Sequence, residues 1–242
     1  MCSSIMKTQE YNVVCTRNEK IAEGIYEMVF TKPEGFTFKA GQFVLFDIAL
    51  IDTPSDIQTR ALSIASTPDE AELLFIAKMN PGGRISRWIE EKLQPGTEVL
   101  MKGPFGFFTL KETTNDSLWI ATSTGIAPFR SMLPQAMVAH PERRIDLVFG
   151  VRNEERLFWK EELEKLTQRH ENFFLHLALS DPSTAWKGHR GRVQTLVPLI
   201  TKDFTMKDVY VCGSPEMTKD VKRLCLEEWG VEKGRLHVEG YI

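Results

Sequence analysis

The hydrophobic pattern changes character once along the chain, and that change limits the possible folds more than any other feature. Up to about Leu110 the apolar runs are short and strand-like: YNVVCTR, IYEMVFTK, GQFVLFDIAL, RALSIAS, ELLFIAKM and TEVLMKGP. Turn-forming stretches such as KPEG, TPSD, TPDE and QPGT separate them. A succession of short strands of this kind predicts an antiparallel β-barrel. One helix interrupts them, GRISRWIEEKL, with Ile85, Trp88, Ile89 and Leu93 at helical spacing. After about Thr113 strands alternate with helices. SLWIATS precedes APFRSMLPQAMVAH, RIDLVFGV precedes ERLFWKEELEKLTQRH, NFFLHLALS precedes RVQTLVPLI, and DVYVCGS precedes PEMTKDVKRLCLEEWG. Alternation of this kind predicts an α/β domain, a parallel sheet covered on both faces. The polar stretch LKETTNDS separates the two styles, which places one domain at 1–112 and the other at 113–242.

The chain's 242 residues, 42% of them hydrophobic, are enough for two cores. A formal net charge of −3 argues against a nucleic-acid binder, which carries a basic stripe. Cys2, Cys15, Cys212 and Cys225 are too scattered for a metal site, an iron–sulfur cluster or a disulfide framework. Reduced thiols and a cytoplasmic location are expected. MCSSIMKTQE lacks the sustained apolar segment of a signal peptide, and no run approaches the ~18–20 apolar residues that span a membrane.

Three strand ends carry residues suited to a ligand. In open parallel sheets ligands bind beyond the carboxyl ends of the strands. IATSTGIAP turns into a helix through small residues, LVFGVRNEE places Gly150 and Arg152 past a strand, and VYVCGSPEM puts Ser214 as N-cap before Pro215. Helix starts of this kind offer free N–H groups to an anion such as pyrophosphate. The usual GxGxxG is absent. In the first half, TRALSIAST reads as a strand with Ala61, Ser63 and Ala65 on one face. A face of small side chains lets something flat approach the backbone, and Arg60 beside it suits an anion.

Taken in order, Arg60-Ala61-Leu62-Ser63, Gly83-Arg84-Ile85-Ser86, Gly103-Pro104-Phe105-Gly106, Thr124-Gly125-Ile126-Ala127-Pro128 and Cys212-Gly213 resemble the motifs of the ferredoxin–NADP reductase superfamily. The resemblance spans nearly the whole chain. It implies a flavin-binding β-barrel followed by a nicotinamide-nucleotide domain, with FAD favoured over FMN. Arg60 then stands where the family pairs an arginine with a flavin phosphate, and Ser63 where a serine hydrogen-bonds near flavin N5. Ala61 and Leu62 complete that cofactor-binding run. Gly83, Arg84, Ile85 and Ser86 match the turn that holds the flavin pyrophosphate. Thr124 and Gly125 match the turn between flavin and nicotinamide, Cys212 and Gly213 a strand end beside the hydride path, and Glu239 and Tyr241 the E-x-Y ending. Ser63, Cys212, Glu239 and Tyr241 are thereby the catalytic candidates. Two departures stand out. Leu62 replaces an aromatic that stacks on the flavin, and Ser123 replaces a glycine.

Arg152, Ser180, Asp181 and Arg192 lie where the coenzyme's adenosine end is expected. Two cations against one anion favour NADPH slightly over NADH, while Asp181 would repel a 2′-phosphate. The expected activity is hydride uptake from NAD(P)H and single-electron delivery to ferredoxin or flavodoxin, by a monomer without a metal. The alternatives are a free-flavin reductase or an oxygenase reductase component, and, from a different class, a non-catalytic interaction subunit that has lost flavin.

Overall fold

The computed structural model describes residues 8–240, so Tyr241 and Cys2 lie outside the described residues. The first half is one antiparallel sheet of β1 (Glu10–Ala22), β2 (Ile25–Thr31), β3 (Phe43–Ala49), β4 (Ile57–Ser63), β5 (Glu72–Lys78) and β6 (Glu98–Phe105), in the order β4-β3-β6-β1-β2-β5. The sheet curls until its outer strands meet. Ala65 N–H, just past β4, donates to Leu74 O of β5 at 2.8 Å, and Leu74 N–H donates to Ser66 Oγ at 3.1 Å. Phe30, Phe46 and Phe75 fill the interior, with ring centroids 5.0–5.9 Å apart. Helix α1 (Arg84–Glu91) closes one end by burying Trp88 and Ile89. Asn18 Nδ2 holds its C-terminus, donating to Ile89 O at 2.7 Å and Leu93 O at 2.8 Å.

The second half is a parallel sheet of β7 (Asp116–Thr122), β8 (Ile145–Val151), β9 (Phe173–Leu179), β10 (His189–Arg190), β11 (Lys207–Gly213) and β12 (Leu236–Gly240), in the order β10-β9-β8-β7-β11-β12. The order reverses at β7, so the crevice above β7 and β11 is the switch point. Helices α2 (Ala127–Ala139) and α3 (Lys160–Arg169) accompany the core of Trp119, Leu147 and Phe149 on one face; α4 (Val193–Ile200) and α5 (Pro215–Glu227) accompany that of Ile120, Val148 and Val211 on the other. Burial on both faces explains why β7 and β8 read as unbroken apolar runs. Ser214 caps α5, accepting from Met217 N–H at 3.3 Å. No helix among the described residues is long and apolar enough to cross a membrane.

The two halves share a core. Ile25, Ala40, Ala65 and Phe108 pack in one cluster with Trp119, Phe129 and Tyr210. Polar links reinforce it: Ser131 Oγ donates to Ser66 O at 2.6 Å, Arg130 Nη1 to Ala65 O at 2.9 Å, and Arg156 pairs with Glu23 at 2.7 Å.

The barrel-then-α/β order expected from the patterning is the observed one. The details differ in places, and strand β1 runs on to Ala22 rather than ending at Arg17. Strand β4 runs from Ile57 to Ser63 rather than from Arg60 to Ser66, because Ile64–Ser66 turn away toward β5. Helix α3 starts at Lys160 rather than Glu155, because Trp159 takes a left-handed conformation (φ 54°) and its indole donates to Glu27 of the barrel at 2.7 Å. Strands β10 and β12 were not expected.

Candidate active site

Strand β4 and the start of α1 wall a cavity of about 250 Å³. Arg60, Ala61, Leu62 and Ser63 line it together with Ile85, Ser86, Thr124 and Lys78. Gly83 and Arg84 open α1 just outside this wall. The helix has no side-chain cap and no acid in its first turn, so its first N–H groups are free for an anion. The turn beneath is tight: Asn80 N–H donates to Ser86 Oγ at 2.8 Å, and a Cβ on Gly83 would lie 3.0 Å from Asn80 O. Arg60 is exposed, donates to Thr59 O at 2.8 Å and makes no ion pair among the described residues. Leu62 packs half-buried against the barrel core and gives the cavity an apolar side. An apolar slot ending in an uncapped helix and an unpaired arginine fits a flat heterocycle carrying phosphate.

Ser63 is where the two halves meet chemically. Its Oγ–H donates to Glu239 Oε1 at 3.4 Å, across 176 residues of sequence. Glu239 lies on β12, where it pairs in register with Cys212 of β11, and Cys212 is fully buried. Burial pushes the Glu239 carboxyl up to about 7, against a smaller downward effect of the Ser63 hydrogen bond. The structure thus brings Ser63, Cys212 and Glu239 together at the switch point.

The turn after β7 is packed against the end of β11. A Cβ on Gly125 would lie 2.3 Å from Cys212 O, and one on Gly213 would lie 2.2 Å from Thr122 Oγ1. Ser123 sits at φ 51°, in the left-handed region that glycine enters without a Cβ clash. A glycine, which the resemblance leads one to expect at this position, would adopt that conformation without the clash.

A second cavity, about 370 Å³, opens over the carboxyl ends of β7, β8, β9 and β11. Arg152, Ser180 and Arg192 line it with Thr122, Gln194 and Ser214. Among the described residues, Thr122 Oγ1 and Gln194 Oε1 are buried here without a hydrogen-bond partner, as is Asn153 Oδ1 close by. Orphaned buried oxygens of this kind fit a ligand with hydroxyl and amide donors. Asp181 does not line the cavity; its Oδ2 accepts from Arg152 Nε and Nη2, both at 3.2 Å.

Sequence reasoning missed Lys78, which lines both cavities and a smaller one of about 100 Å³ between Gly24, Ser123 and Arg156. Its signal was a cation closing the apolar strand that runs into the GGRIS turn. Arg156, Thr122 and Gln194 were also missed.

Comparison with known proteins agrees with this layout. Residues 13–110 match the family described as oxidoreductase FAD-binding domain, and residues 119–223 the oxidoreductase NAD-binding domain. Ferredoxin–NADP reductase B of Sorangium cellulosum is 32% identical over 226 residues, covering 90% of this chain and 91% of that protein. The glycine betaine monooxygenase reductase subunit of Pseudomonas aeruginosa is 30% identical over 217 residues, and the match covers 58% of its length. The ferredoxin–NADP⁺ reductase of Neisseria gonorrhoeae, solved with FAD and NADP, superposes with a TM-score of 0.83 at 23% identity, covering 96% of this chain and 98% of that one. The fold, the paired domain matches and a full-length relative at 32% identity converge: the chain belongs to the ferredoxin–NADP reductase superfamily and is a flavin-dependent NAD(P)H oxidoreductase.

Proposed function

We propose that this chain, dividing at 112/113, is a reductase that draws electrons from NAD(P)H onto FAD and delivers them singly to ferredoxin or flavodoxin. The observation that carries this reading is the Ser63–Glu239 contact, which joins the barrel cavity to the nucleotide sheet at its switch point. The flavin, when bound, supplies the conversion from a two-electron donor to a one-electron acceptor. The chain's residues bind and orient. Arg60 and the free N–H groups of α1 take the phosphates, Lys78 adds positive charge between the two cavities, and the Ser63 hydroxyl fixes the reacting edge. Glu239, poised at about 7, holds or releases a proton beside Ser63 near neutral pH. Gly125 and Gly213 let the two strand ends close around that point.

In the coenzyme cavity Arg152, Ser180 and Arg192 receive the adenosine end, with NADPH favoured. Asp181 neutralises Arg152 until a 2′-phosphate displaces it. The protein works as a cytoplasmic monomer. The test is direct: purified protein shows flavin absorbance, and NADPH drives cytochrome c reduction only when ferredoxin or flavodoxin is added. Efficient reduction of free flavin without a carrier would instead support the flavin-reductase reading. The similarity to the glycine betaine monooxygenase reductase subunit keeps a second reading, an oxygenase's reductase component. Rapid reduction of an oxygenase's iron–sulfur centre, with none of ferredoxin or flavodoxin, would favour it.

A further inference from the structure

The loop between β3 and β4 is tied to the start of α1 by ion pairs. Asp56 Oδ2 lies 3.0 Å from Arg84 Nη1, and Asp52 Oδ2 lies 2.8 Å from Arg87 Nη1. The loop is firmly seated. Leu50 is buried and Ile51 packs against the barrel core. Leu50 N–H donates to Asp56 O at 3.1 Å, and Asp56 N–H donates to Thr53 O at 2.8 Å. Gln58 Nε2 donates to Asp56 Oδ1 at 2.6 Å, so the carboxylate is held from two sides.

This carboxylate occupies a telling position. Helix α1 has no acid in its first turn and no side-chain cap, and the carboxylate that meets its first residue is Asp56, paired with the Arg84 guanidinium. Two arginines occur in the motifs placed around the flavin cavity. Arg60 makes no ion pair among the described residues, whereas Arg84 is already engaged. Arg84 is 64% exposed and Asp56 35%, so the pair itself contributes little to stability and yields readily to a stronger anion. Displacing Asp56 from Arg84 does not remove it. The bonds to Gln58, Leu50 and Thr53 keep the carboxylate beside any phosphate that arrives.

We propose that Asp56 is a built-in competitor for flavin phosphate at Arg84, and that it sets how tightly this chain holds its flavin. The inference rests on the flavin reading of the barrel cavity. It assigns a role in affinity to a loop outside every motif of the site. The carboxylate opposes phosphorylated flavins and is indifferent to the ring system. Its effect fades as salt screens the exposed charges.

The experiment measures binding by flavin fluorescence on the flavin-stripped protein, with FAD, FMN and riboflavin, for the wild type and Asp56→Asn. Asparagine keeps an oxygen for Gln58 and removes only the charge. FAD and FMN are expected to bind about fivefold more tightly to the variant at low ionic strength, with riboflavin unchanged. The gain should shrink at about 0.5 M salt. It should vanish in an Arg84→Gln background, where no cation remains to compete for. Asp56→Ser gives a second variant with the same expectation. Equal FAD affinity in wild type and variants overturns the proposal, as does an equal gain for riboflavin or a gain that persists without Arg84. Binding of no flavin by any of these proteins overturns the flavin reading of the cavity and this inference with it.

Discussion

Replacing Glu239 by glutamine tests the most unusual electrostatic feature of the site. Burial raises the Glu239 carboxyl from the ordinary value of 4.5 to about 7. Between these values the folded protein keeps a proton that the unfolded chain has released. Stability therefore falls as pH rises, at about 1.4 kcal/mol per pH unit, and levels off above about 7. The total is on the order of 3 kcal/mol. Stability from this source is fully present below 4.5 and gone above 7. Glutamine is neutral at every pH and lacks this dependence. The assay is thermal unfolding of wild type and Glu239→Gln, side by side, from pH 4.5 to 8.5. For a chain of this size ~1 kcal/mol corresponds to ~2–4 °C. The variant should gain roughly 6–12 °C relative to the wild type across the range. Ser63→Ala removes the hydrogen bond that favours the carboxylate, so the fall should extend to higher pH. A constant difference between wild type and Glu239→Gln across the pH range would refute the reasoning.

Arg60→Ala should weaken FAD binding by roughly 1.5–3 kcal/mol through loss of a charge-assisted contact, read as flavin retained after gel filtration. Ser123→Gly should stabilise the protein by about 1 kcal/mol in urea unfolding, because serine at φ 51° carries a Cβ penalty that glycine lacks. Asp181→Arg should move the kcat/KM ratio toward NADPH by removing the anion now 3.2 Å from Arg152, and an unmoved ratio would exclude the adenosine assignment.

The fold was legible because its two halves bury their strands differently. Strands β1 to β6 follow one another through turns with one helix among them, whereas β7 and β8 each lead into a helix, are covered on both faces and read as continuous apolar runs. Strand β12 was illegible for the opposite reason. It is an edge strand of five residues, Leu236–Gly240, with Val238 exposed and no alternation to mark it. Among the described residues its only ladder partner is β11, whose paired residues stand 27 positions earlier in sequence, so nothing local fixes its register. Glu239 could be picked out by resemblance alone; that it stands beside Cys212 and faces Ser63 is a consequence of that ladder. Lys78 was missed for a related reason. Its place between the cavities depends on how the barrel meets the sheet, and no stretch of sequence contains that meeting.

Gly125 shows where motif reading and physical cause separate. As part of a cofactor turn, its missing side chain invites the explanation that a ligand needs the space. In the structure the space is taken by the chain itself, with Cys212 O only 2.3 Å from where a Cβ would stand and Gly213 Cα 2.6 Å away. Both atoms are backbone, so no rotamer change can make room. Gly213, at φ +154°, answers in kind, with Thr122 Oγ1 filling its missing Cβ. The two glycines are thus halves of one contact, which sets how near β7 and β11 end to each other. That spacing fixes where Cys212 and Glu239 stand relative to Ser63. A methyl group at Gly125 would press on the Cys212 carbonyl and so displace Cys212, and Glu239 beside it in the ladder, relative to Ser63.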